Sequence, residues 1–163
     1  MIKKILLAIM IALPSLAFAQ KFGVVNSQEI IENLPEMKEV QSQLEAASKK
    51  YETELGNLQT EFQKKYSELQ SMEESTPQTI RDRRVQEIQE LGQKIEEFRA
   101  TAQQDLQQQQ QQLLMPIQQK VMTALNAVGQ EGQFTLIFEN VVPVYVGTDA
   151  VDVTPLVKTK LGL

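Results

Sequence analysis

The 163-residue chain has no cysteine, no histidine and no tryptophan. Without cysteine it has no disulfide, no thiolate nucleophile and no thiol to carry a lipid. Without histidine it lacks the commonest general base near neutral pH and the commonest transition-metal ligand. No Gly-rich loop runs into Lys-Ser or Lys-Thr, so no nucleotide phosphate is cradled. Basic side chains are in deficit, 16 against 21 acidic for a net charge of −5, which argues against nucleic-acid binding through phosphate neutralisation. These absences point away from an enzyme and leave no expected cofactor or metal.

What is present begins with a leader. Lys3 and Lys4 form a charged start, Ile5 to Leu13 an apolar stretch too short to span a bilayer, and Ala17-Phe18-Ala19 a small-x-small cleavage signal before Gln20. Residues 1–19 therefore read as a cleaved signal peptide of a soluble, exported protein. Losing Lys3 and Lys4 leaves fourteen basic against twenty-one acidic side chains, or −7.

Lys21-Phe22-Gly23-Val24-Val25-Asn26 is a short β-prone run. Ser27 can cap a helix from Gln28, and Leu34-Pro35 disfavours helix at Leu34, which predicts a break there. From Met37 the apolar positions are Met37, Val40, Leu44, Ala47, Tyr51, Leu55, Leu58, Phe62, Tyr66, Leu69 and Met72. Their ten steps cover 35 residues, a mean of 3.5, which is the coiled-coil period. A helix from Gln28 to Glu74 would run roughly 70 Å. Thr76-Pro77 reads as an N-cap with first-turn proline. A returning stripe then passes through Ile80, Arg84, Ile88, Leu91, Ile95, Phe98, Ala102, Leu106, Gln109, Leu113, Ile117, Val121, Ala124 and Val128. It weakens along the glutamine run 107–112, read as solvated helix surface because Gln is a good helix former.

Gly129 and Gly132 are expected to end this helix. Two strands are predicted next, Gln133 to Glu139 and Pro143 to Gly147, around a turn at Asn140. Thr154-Pro155 again signals a cap and proline, opening a short helix to Leu161. The layout is α+β and mostly α. Residues 20–33 and 129–163 form a small β-rich oligomerisation body, and 34–128 a long antiparallel coiled-coil hairpin arm with its tip about 73–77. A body that small, with no disulfide available, needs a partner to bury enough surface, which predicts a homo-oligomer. The strand alternation nominates Phe22, Val24, Phe134, Leu136, Phe138, Val144 and Val146 as its contact residues.

These pieces in this order resemble the Skp (OmpH-like) periplasmic chaperones. The likeness runs along essentially the whole chain after the leader, and is most specific in the first strand and in Asp152-Val153-Thr154-Pro155-Leu156-Val157. The resemblance implies a periplasmic homotrimer whose bodies form a hub with three hanging hairpins, a tentacled, jellyfish-like assembly. It implies capture of unfolded outer-membrane proteins, protection from aggregation, and release for outer-membrane assembly without ATP. Clients would be held by many weak contacts, with adaptable side chains such as Met37, Met72, Met115 and Met122. One departure stands out. Well-known members are strongly basic, whereas residues 28–75 here carry five basic and eleven acidic side chains. A lipopolysaccharide-binding role is therefore not carried over.

Two mirrored pairs nominate arm hinges. Gly56 and Gly92 lie about eighteen residues either side of the break, and Pro35 and Pro116 about forty. Glycine softens a helix and an interior proline deletes a backbone bond. Arg81, Arg83 and Arg84 near the tip are candidate contacts for client carboxylates or a peripheral membrane surface; the plainer reading is a solvated face paired with Glu87 and Glu90. The competing reading for the whole chain is a structural or adaptor coiled coil of the cell envelope. Such adaptors carry larger β modules beside the hairpin.

Overall fold

The heptad stripes fold as two long helices. A computed structural model describes residues 20–163, and the leader expected over 1–19 lies outside them. The order is strand β1 (Phe22–Val25), helix α1 (Ser27–Asn33), helix α2 (Glu36–Gln70), helix α3 (Gln78–Glu131), strand β2 (Leu136–Glu139), strand β3 (Val151–Asp152) and helix α4 (Thr154–Leu161). The described residues divide into two compact units: residues 20–27 with Ala124–Gly162, and Gln28–Thr123 with Leu163.

In the larger unit, the break expected at Leu34-Pro35 separates α1 from α2. Pro35 sits in the αR region at φ −59° as the residue before α2, where its missing N–H costs nothing. Helices α2 and α3 run antiparallel, as three contacts spaced along them require: Glu36 with Lys120, Tyr51 with Asp105, and Lys65 with Glu87. Leu58, Leu91 and Ile95 are buried between them, with Leu55, Phe62 and Phe98 packed alongside. Most polar residues between stripe positions stay exposed, as a solvated coiled-coil surface demands, while Ser48, Lys65, Glu87 and Asp105 are half-buried.

In the smaller unit, β1 is the middle strand of a three-stranded, wholly parallel sheet in the order β2-β1-β3. This differs from the expected pair of strands joined by a turn at Asn140. Pro143 to Gly147 forms no strand, and the third strand is Val151–Asp152 instead. With β1 flanked on both sides, the segment after β2 has to cross over to reach the far edge. The turn bond from Val142 N–H to the Glu139 carbonyl at 3.0 Å bends it off the sheet, and Pro143 has no N–H to give a ladder.

The helix ends also depart from expectation in informative ways. At the end of α3 the Phe134 N–H reaches back to the Gly129 carbonyl at 3.0 Å and the Gln133 N–H to Gln130 at 3.2 Å, a Schellman closure. The left-handed residue it needs is Gln133, at φ 53°, and neither glycine. Gly132 serves packing: a Cβ there would stand 2.4 Å from the Phe134 ring. At α4, Thr154 lies inside the helix, and the capping acceptor is Asp152, whose Oδ1 takes the Thr154 N–H at 2.9 Å. Val153 and Val157 are fully buried, worth roughly 1.5–3 kcal/mol each by apolar burial.

Candidate assembly face and arm surfaces

Alternation along β1 turns Gly23 and Val25 inward and leaves Phe22 and Val24 on the other face. Gly23 is tightly packed: a Cβ would stand 3.1–3.2 Å from the Ile137, Phe134 and Val153 side chains, which would have to give by a few tenths of an ångström. The parallel register sets Phe22 beside Leu136 and Val24 beside Phe138, so four apolar side chains share one sheet face. Three remain open to solvent, with Phe22 38%, Leu136 50% and Phe138 39% exposed. Beside this face lies a depression of about 510 Å³ lined by Phe22, Val24, Phe138, Val142, Tyr145 and Val146. Val144 is fully exposed, off any strand.

Of the residues nominated for assembly, the structure thus gathers Phe22, Val24, Leu136 and Phe138 on one sheet face. Val146 borders the depression from a loop. Phe134 precedes β2, where the Lys21 ammonium stands 4.1 Å over its ring and also donates to the Gly132 carbonyl at 3.0 Å.

At the hairpin tip the three arginines do different things. Arg81 Nε donates to the Thr76 carbonyl at 3.3 Å and its guanidinium also binds the Glu73 carbonyl, so it ties the turn together. Arg83 and Arg84 both reach Glu87, at 3.2 and 2.9 Å, and Lys65 from α2 joins the same carboxylate at 3.2 Å. The Lys65 hydrogen bond, then that of Arg84, holds the Glu87 carboxyl below its ordinary range. Glu90 instead accepts from Gln86. One carboxylate therefore gathers three cations, and Arg83 remains 81% exposed in its side chain.

The glycines do not face one another. Gly92 stands opposite Phe62, whose ring would be 3.7 Å from a Cβ there, and Gly56 has open space beside it. Pro116 lies inside α3, leaving the Gln112 carbonyl without its helical donor. Among the methionines named for client contact, Met115 and Met122 are well exposed, and Met37 and Met72 are half-buried.

Sequence reasoning missed a polar cluster in mid-arm. The Tyr51 hydroxyl donates to Asp105, and Gln109 Nε2 donates to the same carboxylate at 2.7 Å. These bonds hold the Asp105 carboxyl below its ordinary range, with Tyr51 the larger cause. A signal was available: Tyr51 and Gln109 are both stripe positions, and Asp105 is one turn before Gln109. No helix among the described residues is long and apolar enough to cross a membrane.

The profile of the outer membrane protein (OmpH-like) family matches residues 21–161. A search of curated proteins gives no match. Among solved structures, that of a protein described as an outer membrane chaperone (OmpH-like) from Caulobacter crescentus CB15 is similar, with a TM-score of 0.74 at 15% identity. The similarity covers 87% of this chain and 83% of that one, and at this identity it speaks for the fold.

Proposed function

The chain belongs to the OmpH-like family, and from that premise we propose that it is an ATP-independent periplasmic holdase for unfolded outer-membrane proteins. The observation that carries the reading is the family match from 21 to 161, which takes in β1, both arm helices and α4 together. The arm supplies long solvated surfaces with isolated apolar side chains such as Tyr66, Val85, Met115 and Met122. Scattered contacts of that kind suit a client without fixed shape, because each is weak and none demands a register. Held strands are also kept from pairing edge to edge.

The open sheet face supports self-association, and the family supports a homotrimer. A unit of about fifty residues with a thin core gains by covering Phe22, Val24, Leu136 and Phe138 with another copy. The leader supports a periplasmic address.

A light-scattering assay tests the proposal. Diluting a urea-unfolded outer-membrane β-barrel into buffer with a stoichiometric amount of this protein, without ATP, should suppress aggregation. Unabated aggregation beside an intact oligomer would sink the holdase reading and favour an envelope adaptor.

A further inference from the structure

Packing along the hairpin is uneven. Toward the tip, Leu58, Leu91 and Ile95 are buried with three large apolar neighbours. Toward the other end of the arm, Val40, Ile117 and Val121 are buried and Lys120 pairs with Glu36 across the helices. Between them, over residues 41–51 of α2 and 102–116 of α3, the only buried residue is Ala102. Positions that should supply large apolar side chains carry Ala47 and Gln109.

Two clefts flank this stretch. One of about 300 Å³ is lined by Leu44, Ser48, Gln103 and Leu106 among others. The second, of about 500 Å³, lies beside Ala46, Ala47, Tyr51 and Gln109. The backbone is weakened in the same stretch, because Pro116 cannot donate to the Gln112 carbonyl. A thin seam and a missing ladder bond thus coincide within fifteen residues of α3.

What holds the helices together here is directional. Tyr51 and Gln109 both donate to Asp105, and the Tyr51 ring lies against Phe98 with centroids 6.0 Å apart. Polar groups at a coiled-coil seam fix register while giving up the stability that apolar packing supplies.

We infer that residues 41–51 and 102–116 form the bending joint of the arm, kept in register by the Tyr51–Asp105–Gln109 clasp. The joint is not at the mirrored glycines. Gly92 packs on Phe62 and Gly56 is flanked by Leu55 and Leu58, all in the best-packed part of the hairpin. Any widening of the arms around a held client rests on the chaperone reading, whereas the joint itself does not.

Hydrogen exchange on the full chain, without client, tests this. Amides of 44–51 and 103–113 should exchange at least about tenfold faster than those of 55–62 and 88–98, since thinly packed segments open locally at lower cost. Ala47→Leu fills the seam with the clasp intact and should bring the two sets within about threefold; Gln109→Leu fills it at the cost of the Gln109 donor and should slow exchange by less. Tyr51→Phe removes the clasp's donor and should speed exchange in 44–51 and 103–113 alone. Uniform exchange along the hairpin, fastest exchange around Gly56 and Gly92, or no slowing in both filled variants would overturn the inference.

Discussion

The Thr154 hydroxyl accepts a hydrogen bond from the Asn26 backbone N–H at 2.9 Å, joining the end of β1 to the opening turn of α4 across 128 residues. On the residues just before it, Val153 N–H donates to the Val24 carbonyl at 2.9 Å and Asp152 caps the helix. The Asp-Val-Thr sequence is thus a stitch of three residues: one carboxylate for the cap, one fully buried side chain, and one hydroxyl for the partner strand.

Thr154→Val keeps the shape and removes the acceptor. Thr154 is only 5% exposed, so the Asn26 N–H loses that acceptor where water has little access. The expected loss is about 0.5–1.5 kcal/mol of folding stability, the net contribution of one part-buried hydrogen bond. Thr154→Ser restores the hydroxyl and should recover most of it. Urea unfolding of the three proteins at equal concentration measures this, and equal midpoints for Val and Thr would contradict it.

The end of α3 yields two substitutions of opposite sign. Gly132→Ala places a methyl 2.4 Å from the Phe134 ring and 2.9 Å from the Val128 carbonyl, so the ring must leave its seat and stability falls. Gln133→Gly relieves a non-glycine residue of its left-handed conformation, at φ 53°. Steric relief of about 1–2 kcal/mol is offset by the flexibility glycine gains when unfolded, leaving a net rise of up to about 1 kcal/mol. Thermal melting of the two variants should move in opposite directions.

Phe138→Asp tests the open sheet face. The side chain is 39% exposed in the single chain, so a charge there leaves the chain's own core intact. Against a second copy it would be desolvated without a partner, which is costly. Sedimentation should show a lighter species for Phe138→Asp, with unchanged helix content by circular dichroism. An unaltered assembly would mean that another surface holds the copies together.

How much of this was legible in the residues follows from what each signal depends on. The arm helices were readable because a 3.5-residue apolar period over 35 residues has few competing explanations. The break at Pro35 followed from proline sterics. The sheet was half legible: alternation in Phe22-Gly23-Val24-Val25 and Leu136-Ile137-Phe138 gave the faces, but pairing is non-local. Val144-Tyr145-Val146 has the better strand composition, yet Val151–Asp152 takes the place beside β1. Arg81 turns to the backbone carbonyls of the tip and Glu90 pairs with Gln86, whereas Arg83 and Arg84 pairing with Glu87 was readable as a local i,i+3 and i,i+4 relation. Lys65 joining them, and Tyr51 meeting Asp105, depend on the register between helices, which the stripe alone leaves free.

Glu87 links the tip arginines to a pH response whose sign is fixed. Its carboxyl is held below the ordinary value of 4.5, first by the Lys65 hydrogen bond and then by Arg84. A carboxyl lowered in the folded chain adds stability above its unfolded value and loses it as pH falls through the folded one. Unfolding midpoints should therefore decline below about pH 4.5 and continue down through the lowered value. In Glu87→Gln this acid decline should be shallower, and stability near pH 7 lower, because Lys65, Arg83 and Arg84 then crowd without a counter-charge. Added salt should narrow the difference by screening these partly exposed charges. The direct measurement is the carboxyl carbon shift of Glu87 against pH. Its midpoint should lie below 4.5 and rise in Lys65→Met; a midpoint at or above 4.5 in the unaltered chain would show that Lys65 and Arg84 do not act on it.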